Sequence, residues 1–360
     1  MFSLLALLLA SSLAQAATTP LVVGNERSLE FTGHAEIFVD ESGALDAPAV
    51  AALGNQFHPV TPDDLKRRYD SRVFWLRATL QNASADKIER WLGIGHTRME
   101  NASLFQQDSH GWRSVSSGLQ VPMKDKPVDA LGLVLPLTLE GGESRQILLR
   151  VQSRPVLDLN SRLWQPTALL QADDSRQLMV AAGAGGSLIV AFISLSVFVR
   201  MRQRTYLYFS LLHISTALLE LGREGLWERY LWLATLSFPI HLHVVVGMTA
   251  ALTLIFIQRD LLDLRTTRPR WDRVFLVFVA LNLAIALISP FNYGLWNEIW
   301  SRALLVIFVT SLWVAVMAWR QGNRTAGYLA LGFSVAWVLE GLRAVSTWAL
   351  CICRLPSTPA

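Results

Sequence analysis

From Leu178 to near the C-terminus the chain is a series of long apolar runs separated by short polar breaks, and this feature limits its folds more than any other. Six runs can be delimited, at 178–199, 206–221, 238–257, 274–289, 299–319 and 326–350. A bilayer core of ~30 Å is crossed by ~20 helical residues, and each run reaches or approaches that length. The second run is short and amphipathic at its end, so its boundary is soft. No backbone N–H can be left bare in lipid, so these segments are expected to be helices.

Residues 17 to about 177 read instead as ordinary soluble protein. The chain is 52% hydrophobic and only 17% charged, where a soluble domain carries roughly a quarter charged residues. The deficit lies in the second half, so the sequence implies two bodies in two solvents, a domain at 17–177 and a membrane bundle at 178–350, with a short tail at 351–360. The net charge of +4 and a pI near 9.3 would suit nucleic acid, but the distribution argues against it. The basic residues of the second half are all arginine and sit mostly in the breaks, which is how charge orients membrane helices rather than tracks a phosphate backbone.

The first residues explain how a soluble domain precedes a membrane bundle. Leu4–Leu9 is too short to span, and Ala14-Gln15-Ala16 is a small-x-small cleavage signal. Residues 1–16 are expected to be a signal peptide cut before Ala17, although no Lys or Arg precedes Arg27.

Within 17–177, short alternating segments end in turn residues: Val73–Leu80 before Gln81-Asn82, Glu89–Ile94, Asn101–Gln106, Gly132–Leu139 before Gly141-Gly142, and Gln146–Gln152. Regular short strands of this kind predict a β-sandwich rather than βαβ units. Thr61-Pro62-Asp63-Asp64-Leu65 has the form of a helix start. Asn82-Ala83-Ser84 and Asn101-Ala102-Ser103 match the glycosylation triplet but read as turn asparagines. Of the tryptophans that punctuate the strands, Trp75 fits a core position, whereas Trp112, just after His110-Gly111, is expected to be exposed. Aromatics on a sandwich can stack on sugars while polar side chains fix hydroxyls, so Trp112 and Trp91, with His96 and Arg98 nearby, are the candidate ligand residues.

The order Phe74-Trp75-Leu76-Arg77, Trp91-Leu92-Gly93-Ile94, Met99 to Phe105, Gly111-Trp112, Gly118, Leu133 to Leu139 and Leu148 to Ser153 resembles the periplasmic sensor domain of the bacterial seven-transmembrane receptors with diverse intracellular signalling modules. Arg204-Thr205-Tyr206-Leu207-Tyr208-Phe209 extends the resemblance into the second membrane helix. It implies a jelly-roll-like sandwich similar to carbohydrate-binding modules, followed by an all-α transmembrane bundle. Family members carry seven helices, a coiled coil and an output domain. This sequence ends about where its sixth helix ends, which implies a receptor truncated before the last helix and output domain, with its C-terminus in the periplasm.

Charge bias gives an independent orientation. With 17–177 outside, the inner breaks hold ten arginines (Arg200, Arg202, Arg204, Arg259, Arg265, Arg268, Arg270, Arg273, Arg320, Arg324) and the outer breaks hold Arg223 and Arg229. The positive-inside rule requires this direction.

Ionisable groups in membrane segments are functional candidates. Glu340 and Arg343, three residues apart, form a candidate intramembrane pair. Glu220, Arg223 and Glu224 cluster at the outer end of the second helix and are candidates for coupling the soluble domain to the bundle. His241 and His243 diverge on a helix, His213 is solitary, and Cys351-x-Cys353 lacks the spacing of redox or zinc motifs, so neither metal nor cofactor is expected. There is no cyclase Gly-Gly-Asp-Glu-Phe signature, kinase phosphate loop or nucleophile-base constellation, and the chain is not read as an enzyme. The reading is a receptor-like sensor of the bacterial inner membrane. Its partners would be a small molecule or carbohydrate in the periplasm, the lipid bilayer and a cytoplasmic signalling protein reached through 258–273. The alternatives are a six-helix transport or envelope-assembly component, or a remnant of a longer receptor.

Overall fold

A computed structural model describes the chain from 19 to 334, apart from 68–69, 71, 96–98, 109–110, 119, 131, 154–156, 228–238, 289–292 and 333. The signal peptide, His96, Arg98, Glu340, Arg343, Cys351 and Cys353 therefore lie outside the described residues. The chain divides into two compact units, Met1–Gln171 and Ala172–Ala360.

The first unit is a β-sandwich. Its strands are β1 (Leu21–Val23), β2 (Ser28–Glu30), β3 (Glu36–Asp40), β4 (His58–Pro59), β5 (Lys66–Arg67), β6 (Val73–Asn82), β7 (Ile88–Ile94), β8 (Asn101–Asp108), β9 (Gly111–Ser117), β10 (Leu133–Leu139), β11 (Ser144–Gln152), β12 (Leu157–Asp158) and β13 (Ser161–Trp164). One sheet runs β4-β3-β6-β11-β8-β9, with β1 parallel to the end of β6. The facing sheet runs β10-β7-β13-β2, and β12 pairs with β5 in a short ribbon.

Period-two alternation decides which side chains meet between the sheets. Phe74, Leu76, Ala78 and Leu80 of β6, Ala102 and Leu104 of β8, and Ile147, Leu149 and Val151 of β11 enter one core with Leu92, Ile94, Leu133, Leu135, Leu137 and Leu163 of the other sheet. Each fully buried leucine contributes ~1.5–3 kcal/mol relative to exposure. The first residues of β6, Val73-Phe74-Trp75-Leu76, are all buried because the outer face of this sheet is covered too. Helix α1 (Ala47–Ala52) lays Ala47 and Val50 over Val73, Trp75, Leu148 and Phe57.

Turn chemistry closes the strands. Asn82, 1% exposed, donates to the carbonyls of Asp86 and Glu140 at 2.8 Å and accepts from the backbone and hydroxyl of Ser84. It clamps the β6–β7 turn to the β10–β11 turn. Gly95 has φ +45°, and a Cβ there would lie 1.9 Å from the Asp158 carbonyl oxygen, so no other residue fits.

The helix start expected at Thr61 is a single turn of 3₁₀-helix, Pro62–Asp64. The Asp64 carboxylate does cap it, accepting from the Thr61 N–H at 3.0 Å and hydroxyl at 2.6 Å. The turn cannot lengthen because residues 66 and 67 pair with β12. Asn101, read as a turn residue, is instead the first residue of β8.

The second unit is helical. α2 (Pro166–Met201) begins directly after β13, well before the apolar run, and contributes its start to the first unit. α3 (Arg204–Arg223), α4 (Pro239–Leu261), the short α5 (Leu264–Thr267), α6 (Pro269–Ile288) and α7 (Tyr293–Arg320) follow, and a further helix is described over 324–332. Among the described residues, four segments are long and apolar enough to cross a membrane: Pro166–Met201, Leu242–Leu261, Pro269–Ile288 and Arg302–Arg320. Ile255, Leu262, Leu264, Phe275, Ile307, Val314, Ala318 and Ala326 pack α4 to α7 and the next helix together. Gly247 permits a close approach, since a Cβ there would lie 2.8 Å from the Trp300 ring.

Candidate functional site

The structure places the two described candidate tryptophans on opposite outer faces of the sandwich. Trp91, on β7, is half-buried with Trp164, its cross-strand partner, and packs on Val134, Ala130 and Leu169. Its indole N–H donates to Glu89 at 2.8 Å. Trp112, on β9, belongs to the outer face of the seven-stranded sheet and packs against the Trp75 cluster. It is half-buried rather than exposed, because Phe105 and Leu148 give its ring an apolar surface that the hairpin sequence does not reveal. The two indoles share no cluster, so the candidate pair is not one site among the described residues.

A different set of side chains does converge. Strand register aligns Ser116, Ser103, Arg150, Trp75 and Phe38 in one row across β9, β8, β11, β6 and β3. Alternation puts all five on the outer face, with Gln152 and Asn101 paired in the adjoining row. Ser103 and Ser116 share a hydrogen bond of 2.7 Å. Among the described residues, the half-buried Arg150 guanidinium reaches the Gly43 carbonyl and the Gln152 side-chain oxygen alone, both at 3.4 Å. Two buried polar atoms on the paired strands, Trp75 Nε1 of β6 and Asn101 Oδ1 of β8, have no hydrogen-bond partner among the described residues. Alternation marks these side chains as outward-facing, but only strand order brings them together, and that is not written in any one segment.

One wall beside this row is a structured loop. The Asp40 carboxylate accepts from the N–H groups of Ser42, Gly43 and Leu45 and from the Ser42 hydroxyl, the last at 2.6 Å. Burial pushes its pKa up, but the hydrogen bonds from Ser42, Leu45 and Gly43 outweigh this and hold the carboxyl below its ordinary value. On the neighbouring row, Arg77 pairs with Glu36 at 2.6 Å and lies 4.1 Å over the Phe57 ring.

In the helical unit, the proposed coupling residues have defined partners. Glu224, at the end of α3, pairs with Arg176 of α2 at 2.5 Å, and Arg223 pairs with Glu220 one turn away at 3.3 Å. The structure also shows a buried polar set that hydropathy conceals. Arg259 of α4 binds Asp272 of α6 through two contacts, at 2.6 and 3.2 Å. Trp300 donates to Asn282 at 3.1 Å. Gln258 and Ser311, both 0% exposed, flank the cluster formed by Ile255, Leu262, Ile307 and Val314. Neither side chain has a hydrogen-bond partner among the described residues. Among the described residues, no three His, Cys, Asp or Glu side chains gather as a metal site.

A sandwich in front of apolar helices occurs in many membrane proteins, and comparison with known families decides between them. Residues 32–165 match the family profile 7TMR-DISM extracellular 2, and residues 176–352 match 7TM diverse intracellular signalling. The chain belongs to the 7TMR-DISM receptors. The first match covers the sandwich from the turn after β2 to the end of β13, and the second covers the helices from α2 onward. No curated protein sequence matches the chain significantly. Like other 7TMR-DISM proteins, it is a receptor-like, multi-pass membrane sensor with an N-terminal extracytoplasmic domain.

Proposed function

We propose that this 7TMR-DISM receptor binds a small molecule through its sandwich, in the periplasm of a bacterium whose inner membrane holds the helices. Binding is relayed to a cytoplasmic protein that docks on the arginine-rich segment 258–273. The observation that carries the reading is α2, a helix of 36 residues that follows β13 after one residue and runs into the first membrane span. The chain thus passes from the sandwich into the first membrane span within one helix, and Arg176 of that helix pairs with Glu224 at the end of α3. A ligand shifts the bundle only if it binds two packings with different affinity. The sandwich binds, the helices transmit, and no step calls for catalysis.

The test is hydrogen exchange on the full chain in nanodiscs with and without a ligand identified by thermal shift. The expected result is altered exchange in 258–273, abolished when two glycines are inserted between Asp174 and Ser175. Unchanged exchange in 258–273 at saturating ligand would overturn the relay.

A second reading, transport, draws on the buried Gln258, Asn282 and Ser311, since polar groups inside a bundle often line a path. Uptake of the ligand into proteoliposomes would favour it over sensing.

A further inference from the structure

We propose that the outer face of the seven-stranded sheet around Arg150 is a binding site for a small carboxylate that also carries a hydroxyl or ammonium donor. The inference deepens the sensor reading and rests on it.

Arg150 is the first reason. Arg77 and Arg145 of the same sheet each hold a carboxylate, Glu36 at 2.6 Å and Glu143 at 2.5 Å. Arg72, beside the sheet, holds Asp70 at 2.8 Å. Arg150 sits on a central strand, half-buried, and pairs with no carboxylate among the described residues. Asp40, the nearby acid, is committed to four donors of its own loop. A guanidinium presents a planar fork that fits a carboxylate through two parallel hydrogen bonds. Its two 3.4 Å contacts leave most of that capacity unused.

The second reason is independent of charge. Buried polar atoms are nearly always hydrogen-bonded, and each exception needs an explanation. Two exceptions lie on the strands paired with β11, Trp75 directly opposite Arg150 on β6 and Asn101 opposite Gln152 on β8. Asn101 Oδ1 is an acceptor, which a ligand hydroxyl or ammonium would satisfy. Trp75 Nε1 is a donor, which a ligand oxygen would satisfy. Ser103 and Ser116 add hydroxyls that donate or accept. The residues of this face therefore bring a cation, an acceptor and several donors together, next to the half-buried Phe105, whose ring packs 5.4 Å from that of the covered Trp75. A neutral hydrocarbon would leave Arg150 and Asn101 unsatisfied. A bare inorganic anion would satisfy Arg150 and leave Asn101.

The experiment is calorimetric titration and thermal shift on the full chain in nanodiscs. The probes are D-glucuronate, L-lactate and L-glutamate, with D-glucose and sulfate as the uncharged and donor-free comparisons. At least one of the three carboxylates is expected to bind more tightly than both comparisons. Arg150→Gln should weaken it by about 30-fold or more, Asn101→Leu by about 5-fold, and Arg113→Gln, on the exposed part of β9, should leave it unchanged. Should Arg150→Gln lower the melting temperature, Arg150→Lys, which keeps the charge and stem but loses the fork, must still weaken binding. Failure of all three carboxylates to bind below about 1 mM would overturn the proposal. So would binding that is indifferent to Arg150. Glucose binding that no Arg150 variant disturbs would overturn this site and its chemistry while leaving the sensor reading in place.

Discussion

The two units treat their large apolar side chains differently. In the sandwich the largest apolar side chains are hidden, with Phe74, Leu76, Leu92 and Leu104 all at 0% exposure. In the helical unit Leu178 is 73% exposed, Met179 74% and Phe192 72%, and only 11% of the apolar window of α2 is buried. Each unit also holds a half-buried ion pair: Arg77–Glu36 joins two strands of the sandwich beside an aromatic ring, and Arg259–Asp272 joins two helices of the bundle. Water drives the sandwich together by excluding its apolar faces. Lipid gives no such push between helices, so close packing, small residues and polar contacts must specify which helix touches which.

The largest effect should come from breaking the bundle's ion pair. Arg259→Met alone leaves Asp272 buried without its cation and should cost about 3–5 kcal/mol, while Arg259→Met with Asp272→Leu should recover most of it. Melting of the purified chain in nanodiscs, followed by a reporter in α4, checks this. A double variant as damaged as the single one would show that the pair does more than satisfy itself.

The comparison sharpens with one truncation in each unit. Leu104→Ala removes a fully buried side chain from the core between the sheets and should cost about 2–4 kcal/mol. Phe192→Ala removes a larger side chain that is 72% exposed, and should change stability by less than about 0.5 kcal/mol. The readout is the unfolding midpoint of each unit in the same full-length sample. A large loss at Phe192 would mean that something other than lipid covers α2.

What the sequence made legible follows the same division. Alternation in Val73–Leu80 and Gln146–Gln152 gave a sandwich, and the composition change near Leu178 gave a second body, because both signals are local. The candidate face was not legible. Its row joins Phe38, Trp75, Ser103, Ser116 and Arg150 through strand order, and Arg150 inside Leu148–Gln152 looks like any outward-facing charge. Trp112 and Trp91 stood out as large aromatics, yet each is seated in an apolar cluster of its own face. In the helices, hydropathy averaged over a span hid Gln258, Asn282 and Ser311, and the Arg259–Asp272 pair bridges α4 and α6 across the turn that α5 makes. The start of α2 at Pro166 was missed because hydropathy marks where lipid begins rather than where the helix does.

The smallest effect concerns the loop beside Arg150, and pH reveals it. Asp40 is held below its ordinary carboxyl value despite its burial, through hydrogen bonds from Ser42, Leu45 and Gly43. In the unfolded chain its pKa is the ordinary one, near 3.8. A group depressed in the folded state contributes stability that is fully present above its unfolded pKa and lost as pH falls through the folded value. At pH 7, Asp40→Asn should cost about 1–2 kcal/mol, because an amide accepts the loop's N–H groups less strongly than a carboxylate. Below pH 4 the gap between wild type and variant should close. Melting temperatures of both chains between pH 7 and pH 3 give the answer. Parallel curves would mean that the loop is held by its backbone turn alone, and the wall beside Arg150 would then be independent of the charge on Asp40.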